Sequence, residues 1–282
     1  MPFVEQPGAR LYYEETGSGY PIVFVHEFGA DLREWEGQVR AFSRDYRCIA
    51  FNARGYPPSD VPADPAQYGW EFARDDILAV MDGLGLDRAH LVGLSMGAYA
   101  VVTFGLTYPG RASALVAAGC GSGSVPAQRP EFQQAALETA KAFLVEGTAA
   151  VAETMGVSPT RIQLKRKDPR AWDEFMSHLR QHSAEGSSRT MGAYQAGRPS
   201  LWSFEAELRA CRLPVLIAVG DEDEPCLEPS LFLKHHLPNA GLWMAPNTGH
   251  AINLEEPAAF NQAVGTFLAA VERGTWRRGF EG

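Results

Sequence analysis

His90-Leu91-Val92-Gly93-Leu94-Ser95-Met96-Gly97-Ala98-Tyr99 is the stretch that decides how this chain folds. Its first five residues form a short apolar run. Its last four open a second apolar stretch, Met96–Tyr108, and a glycine stands two positions before and two after Ser95. A strand that turns at once into a helix holds the residue at the turn in strained backbone, with its side chain projecting above the sheet. Glycines at the flanking positions remove side chains that would collide in such a turn. The helix N-terminus beneath adds free N–H groups and the positive end of a dipole, which favour a negative oxygen forming there. Ser95 is therefore a candidate nucleophile, on the end of a strand in a buried sheet. A chance Gly-x-Ser-x-Gly in a chain with 28 glycines would not supply the strand and helix on either side.

Outward from this point, short apolar runs recur at Ile22–Val25, Cys48–Phe51, Ala114–Ala118, Val215–Val219 and Leu242–Ala245, each followed by turn residues. Runs this short and apolar on both faces suit parallel strands covered by helices on each side. Helical spacing appears in Phe72–Gly83, where Ile77, Leu78 and Met81 share a side, and in Pro257–Val271. The alternation predicts an α/β fold, a doubly wound and mostly parallel sheet. The rhythm breaks between Gly121 and Glu205. Helical patterns fill Glu131–Glu146, Thr148–Met155 and Arg170–His182, interrupted by Gly186-Ser187-Ser188 and a turn at Gly197–Pro199. This reads as a helical cap inserted into the core, with boundaries at 1–122 and 206–282 for the two parts of the core and 123–205 for the cap. Arg273–Gly282 reads as a loose end.

Composition narrows the classes of function. The 282 residues are 45% hydrophobic, enough for a full core, and 21% charged. The formal net charge of -9 disfavours a nucleic-acid partner, which needs the opposite balance. The stretch from Ala89 to Gly110 lacks charged side chains, but Gly93, Ser95, Gly97, Gly105 and Pro109 divide it into strand, turn and helix rather than a membrane span. The N-terminus has no basic region followed by an apolar stretch, so no signal peptide is expected. Cys48, Cys120, Cys211 and Cys226 are scattered without a C-x-x-C pair, which points to a reducing compartment and a cytoplasmic protein.

A serine hydroxyl needs a base, and the base needs an orienting acid. His250 follows the last strand-like run in Asn247-Thr248-Gly249-His250 and is the base candidate. The acid lies in Gly220-Asp221-Glu222-Asp223-Glu224-Pro225. Asp223, three residues past Gly220 and just before the proline, is preferred; Asp221 and Glu224 stay open as alternatives. His178 and His182 stand at i, i+4, a spacing able to hold a metal, but no third ligand is evident and none is expected. Lys165-Arg166-Lys167 reads as a solvated loop.

Taken together, Val25-His26 with Phe28-Gly29, Asn52-Ala53-Arg54-Gly55, Gly93–Gly97, the Pro214–Asp223 strand and loop, and Gly249-His250 resemble the α/β-hydrolase fold superfamily with a helical cap, over nearly the whole chain. The order Ser, Asp, His matches that superfamily. Within it the chain is most similar to capped esterases, enol-lactone hydrolases and carbon–carbon-bond hydrolases. The resemblance implies an oxyanion hole made by the backbone N–H groups of Phe28 and Met96. It implies a cofactor-free serine hydrolase that cleaves a small or medium carboxylic ester or lactone through an acyl-enzyme on Ser95. The alternatives are a carbon–carbon hydrolase of meta-cleavage products, with Arg161, Arg180, Arg189 or Arg198 receiving the substrate carboxylate, and a slow-turnover small-molecule receptor. A serine at this point sets the chain apart from the dehalogenases and epoxide hydrolases of the fold, which use an aspartate. The expected partner is a small acyl substrate, with no nucleic acid or membrane, and the expected state is a monomer or homodimer.

The chain departs from that pattern twice. His26-Glu27-Phe28-Gly29 stands where relatives have His-Gly-x-Gly, and Tyr56-Pro57-Pro58-Ser59-Asp60 stands where they more often have Gly-x-Gly-x-Ser. Glu27 can point to solvent, pair with Arg54, or enter the pocket and tune its polarity. His26, Glu27 and Trp202 are the candidate substrate-binding side chains; Trp172, Phe175 and Tyr194 are expected mostly in the cap core.

Overall fold

A computed structural model describes residues 2–276. Eight strands form one sheet: β1 Phe3–Gln6, β2 Ala9–Thr16, β3 Tyr20–Val25, β4 Tyr46–Phe51, β5 Ala89–Leu94, β6 Ala112–Ala118, β7 Val215–Gly220 and β8 Ala240–Ala245. Their order is β1-β2-β4-β3-β5-β6-β7-β8. β2 runs antiparallel to both β1 and β4, and every pairing from β4 to β8 is parallel. The six runs read from sequence are the six parallel strands. The two antiparallel ones at the edge are additional.

The strand sequences are apolar on both faces because both faces are covered. Val23, Val25 and Leu91 point into a cluster with Ile77, Val80, Met81, Tyr99 and Phe104. Ile22, Phe24, Val92 and Leu94, one residue out of step, pack with Trp35, Phe42, Phe260, Val264 and Phe267 on the other face. This is the period-2 alternation of a strand with a helix layer on each side. The helix Met96–Thr107 is buried almost all round, so its lack of a polar face fits its place between sheet and neighbours. The stretch with no charge thus divides into β5 and this helix. Among the described residues no helix is long and apolar enough to cross a membrane.

Between β6 and β7 the described chain holds no strand. It forms the helices Arg129–Val145, Thr148–Gly156, Ile162–Lys167, Pro169–Leu179 and Ala184–Arg189, followed by shorter turns. Four sequence expectations change here and at the terminus. Gly186-Ser187-Ser188 is not an interruption: it lies inside Ala184–Arg189, whose Gly186 N–H is received by the Ser183 hydroxyl at 3.1 Å. Lys165-Arg166-Lys167 ends a helix rather than a loop. Lys167 bridges to Glu256 at 2.7 Å and to the Thr248 hydroxyl at 3.0 Å, while Lys165 sits 4.1 Å over the Trp172 ring. His178 and His182 do not share a helix face, because the helix ends at Leu179. Trp276 is not loose: it packs edge-on to Phe267 and its indole donates to the Asn239 carbonyl at 3.0 Å. The remainder of the tail, 277–282, lies outside the described residues.

A seam joins the helical insertion to the core. Leu164, Phe175, Met176 and Leu179 meet Ala30 and Ala251, and the His250 N–H donates to the Thr160 carbonyl at 2.7 Å. The four cysteines are buried and unpaired.

Candidate active site

Ser95 sits between β5 and the helix Met96–Thr107 with φ 53° and ψ -108°, one of two non-glycine residues with positive φ among those described. Such a conformation is strained for a residue with a Cβ, and it persists only where its surroundings hold it. The holding groups are visible. A Cβ on Gly93 would come 2.5 Å from the Gly97 backbone, and one on Gly97 would overlap the Val25 carbonyl. Both glycines are therefore demanded by close approach in the turn. The Ser95 N–H donates to the Ala118 carbonyl at 2.8 Å, which ties the turn to the end of β6.

The next residue, Gly119, lies against the other candidate groups. A Cβ there would stand 3.3 Å from both Asp223 Oδ2 and the His250 ring. His250 Nδ1 and Asp223 Oδ2 are 2.7 Å apart, and both residues are buried. The four acids after β7 are sorted by their partners. Asp223 turns to His250. Asp221 instead accepts the Thr248 N–H at 3.1 Å and shapes the loop that carries His250. Glu222 accepts from the Gln163 amide, and Glu224 opens the next helix. Burial disfavours the imidazolium of His250, but the charge and hydrogen bond of Asp223, with the charge of Glu27, outweigh it and hold the pKa above that of an ordinary histidine.

The Ser95 hydroxyl itself is partly exposed and, among the described residues, has no hydrogen-bond partner. The Met96 N–H opens its helix and has no acceptor one turn back. Each of the two expected donor positions is anchored through its carbonyl: Tyr56 donates to the Phe28 carbonyl at 2.9 Å, and Tyr194 donates to the Met96 carbonyl at 2.7 Å.

Glu27 is fully buried and turned into the site. It takes a bidentate pair from Arg161, with Nη1 at 2.6 Å from Oε1 and Nη2 on Oε2. Its Oε2 is also 3.6 Å from His250 Nε2. It does not pair with Arg54, which is bound to Asp76. Burial raises the Glu27 pKa, yet Arg161 more than offsets this and the carboxyl stays below its usual range. The Glu27 N–H donates to Glu34 Oε1 at 2.9 Å; burial and the Glu27 charge hold Glu34 well above the carboxylate range, so it favours its protonated form.

His26 has a different place from the one expected. Its Nδ1 is 2.7 Å from the Glu27 carbonyl and its Nε2 accepts the Ala53 N–H at 3.0 Å. Both ring nitrogens are committed to backbone, which leaves none for a substrate and fixes the tautomer with the proton on Nδ1. Trp202 stacks on Phe232 with ring centroids 4.1 Å apart. Tyr194 and Phe175 are buried, whereas Trp172 is half-buried with its indole on the Gly156 carbonyl at 3.0 Å. Asp223, Cys226 and His250 could bring three ligand atoms within 4.8 Å of one another. Here the Cys226 thiol donates to the Gly119 carbonyl at 3.2 Å, and burial keeps its pKa well above that of a free thiol, so the trio acts as a hydrogen-bonded group.

A groove of about 420 Å³ lined by Tyr12, Asp31, Arg33, Asn52, Pro57 and His182, among others, contains none of these groups. A small cavity of about 20 Å³ touches Met96, Ala53, Thr190 and Tyr194, where the helical insertion closes on the core.

Comparison with known proteins identifies the family. The family model of the alpha/beta hydrolase fold matches residues 20–257. A 2-hydroxy-6-oxononadienedioate/2-hydroxy-6-oxononatrienedioate hydrolase of Burkholderia vietnamiensis is 30% identical over 280 residues, covering 92% of this chain and 91% of its own. A putative 2-succinyl-6-hydroxy-2,4-cyclohexadiene-1-carboxylate synthase of Bacillus subtilis is 26% identical over 268 residues, covering 94% and 96%. Among solved structures, a thermophilic esterase from Thermogutta terrifontis superposes with a TM-score of 0.86 at 26% identity, covering 96% of this chain and 98% of that one. On these grounds the chain belongs to the alpha/beta hydrolase fold family.

Proposed function

We propose that this protein is a cofactor-free serine hydrolase of a small or medium carboxylic ester or lactone. Ser95 is the nucleophile, His250 the general base and Asp223 the acid that orients it. The observation that carries this reading is the buried 2.7 Å His250–Asp223 pair beside Gly119, one residue from the carbonyl that holds the strained Ser95 turn. In the reaction His250 Nε2 takes the Ser95 proton as Oγ attacks the acyl carbon. The negative oxygen is received by the Phe28 and Met96 N–H groups, and the proton passes to the leaving oxygen. A water activated by the same histidine then releases the acid. The hydrogen bond between nucleophile and base is often loose in a free enzyme and tightens when substrate binds. The helices between β6 and β7 act as a cap over the acyl site. The Thermogutta esterase, similar along 96% of this chain, supports the ester reading.

One observation favours a second reading, a hydrolase of carbon–carbon bonds in substrates that carry a carboxylate. Of the cap arginines, Arg161 is paired with Glu27 and Arg180 with Glu153. Arg198 is 3% exposed, has no carboxylate partner among the described residues, and its Nη1 has no hydrogen-bond partner. It lies over the ring of Tyr99, which belongs to the helix after Ser95, and over that of Tyr194, which is bonded to the Met96 carbonyl.

Steady-state hydrolysis of p-nitrophenyl esters from acetate to decanoate, in wild type and Ser95→Ala, tests the first reading. We expect saturable activity that falls at least about 10⁴-fold in the variant without loss of folding. Activity that survives in Ser95→Ala, or is absent on every ester, overturns it. Bleaching of a coloured dienoate, lost in Arg198→Gln, would establish the second.

A further inference from the structure

The feature that the proposed triad leaves unused is Glu27. It is a buried carboxylate, held from the cap by Arg161, with one oxygen 3.6 Å from the histidine nitrogen that must accept the serine proton. In this chain that nitrogen faces a fixed negative charge, while Nδ1 faces Asp223. We infer that Glu27 is a positioning residue that acts through His250. It stabilises the imidazolium formed when Ser95 gives up its proton, and Arg161 holds it at the distance where it does so without taking that proton itself.

Three observations support the assignment. The first is that the pair is built and not incidental. Arg161 is bidentate, both partners are buried, and the Glu27 backbone is fixed by the Glu34 carboxyl at 2.9 Å and the His26 ring at 2.7 Å. The second is charge balance. With Asp223 alone, proton transfer creates a neutral Asp–imidazolium pair in a buried site. With Glu27 ionised, the same transfer leaves the imidazolium between two carboxylates; the Arg161 charge opposes this, but less than Glu27 favours it, so the proton is held more tightly on the histidine. The third is the surroundings. Among the described residues, other ionisable groups near His250 include Glu255, whose Oε2 accepts the Gly249 N–H at 2.7 Å, Lys167 at 4.0 Å from Glu255, and the Cys226 thiol. None of these is assigned to Nε2, where the contact is with Glu27.

The chemistry is balanced within the site. The O–H bond of Ser95 breaks, an N–H bond forms on Nε2, and that proton later leaves with the alcohol; Glu27 neither gains nor loses a proton. A more basic imidazole takes the serine proton more readily, and it also stays protonated, and idle, to a higher pH. Glu27 thus exchanges activity in acid for rate at neutral pH.

This inference rests on His250 being the base, and the test separates the two claims. The His250 ring is titrated by NMR, and the pH dependence of kcat/KM on a p-nitrophenyl ester is measured, in wild type, Glu27→Gln and Glu27→Asp. An opposite charge within 4–6 Å shifts a pKa by about one unit or more, so in Glu27→Gln we expect the His250 pKa and the acid limb to move down together by about that much. The plateau rate falls about tenfold or less. Glu27→Asp keeps the charge and restores most of the wild-type pKa. A residue with only a packing role would alter stability or the rate at every pH and leave the His250 pKa in place, and that result overturns the inference. Glu27→Gln leaves Arg161 without its counter-charge; should it fail to fold, Glu27→Gln with Arg161→Gln removes both charges. Because Glu27 is the charge in contact with Nε2, the His250 pKa still falls in the double variant, and an unmoved or raised value overturns the inference equally. If His250 titrates as expected but no ester is hydrolysed, the pairing stands and the ester reading falls.

Discussion

Two buried arginine–carboxylate pairs use the same chemistry to different ends. Arg54 and Asp76 lie 4% and 1% exposed, with Nε at 2.8 Å from Oδ2, Nη2 at 2.5 Å from Oδ1, and Nη1 spent on the Gln67 carbonyl. That pair fastens the loop after β4 to the helix Trp70–Gly83, and the Phe72 ring covers the guanidinium at 4.5 Å. Arg161 and Glu27 are also buried, but they join the helical insertion between β6 and β7 to the core across 134 residues, and one carboxylate oxygen is left facing His250. A saturated pair within one body is a fastener. A pair with an oxygen turned to a titrating base is an electrostatic device as well, and what separates the two is the neighbour, not the pair.

Substitutions can break this comparison, and the largest effect is expected where a carboxylate orients the base itself. Asp223→Asn should lower kcat about 10⁴-fold, by favouring the wrong tautomer of His250, with little change in unfolding. A loss no larger than that of Glu27→Gln would make the two carboxylates equivalent and reverse their roles. Next comes the fastener. Asp76→Ala strands Arg54 in the core and should cost about 3–5 kcal/mol of stability by urea unfolding, while the acid limb of kcat/KM stays where it is. A moved acid limb in Asp76→Ala would mean that any buried charge pair perturbs His250, and the distinction would collapse.

The sequence carried the parts whose cause is local. Six strands were readable because Ile22–Val25 and its counterparts are apolar on both faces. β2 was not, since Tyr13, Glu14 and Glu15 in its second half are exposed or half-exposed at the antiparallel edge and give neither a run nor an alternation. The Ser95 turn was readable because its two glycines flank the serine in one short stretch, although only Gly93 is dictated by atoms within four residues and Gly97 is set by the Val25 carbonyl of the neighbouring strand. His250 followed from its place after the last strand. Asp223 could be preferred but not separated from Asp221, because only the folded loop turns one to the histidine and the other to Thr248. Glu27 could be marked as a departure, but its partner Arg161 is set by how the helical insertion meets the core, which leaves no trace in local spacing. Gly186-Ser187-Ser188 misled for the same reason: tertiary packing buries those residues in a helix that their propensities oppose.

A second histidine sharpens the comparison at the smallest expected effect. His26 neighbours Glu27 in sequence and is as buried as His250, yet its ring nitrogens meet a carbonyl and an N–H rather than carboxylates. Burial, opposed only weakly by the Glu27 carbonyl and the more distant acids, lowers its pKa to about 4, where that of His250 is raised. Protonating Nε2 of His26 would also turn it against the Ala53 N–H it now accepts. The sign follows from linkage. The unfolded histidine titrates near 6.5 and the folded one near 4, so between those values the unfolded chain binds the extra proton and stability falls as pH falls. At about 1.4 kcal/mol per unit, this one group removes about 3 kcal/mol between pH 6.5 and 4, and nothing above that window. Urea unfolding of wild type and His26→Gln at several pH values across the window measures it. The variant starts less stable at pH 7, because the anchor is altered, but its stability should decline with one proton's less slope. Parallel slopes would mean that His26 titrates freely in the folded protein, and that the loop carrying Glu27 is less firmly held than its contact with His250 requires.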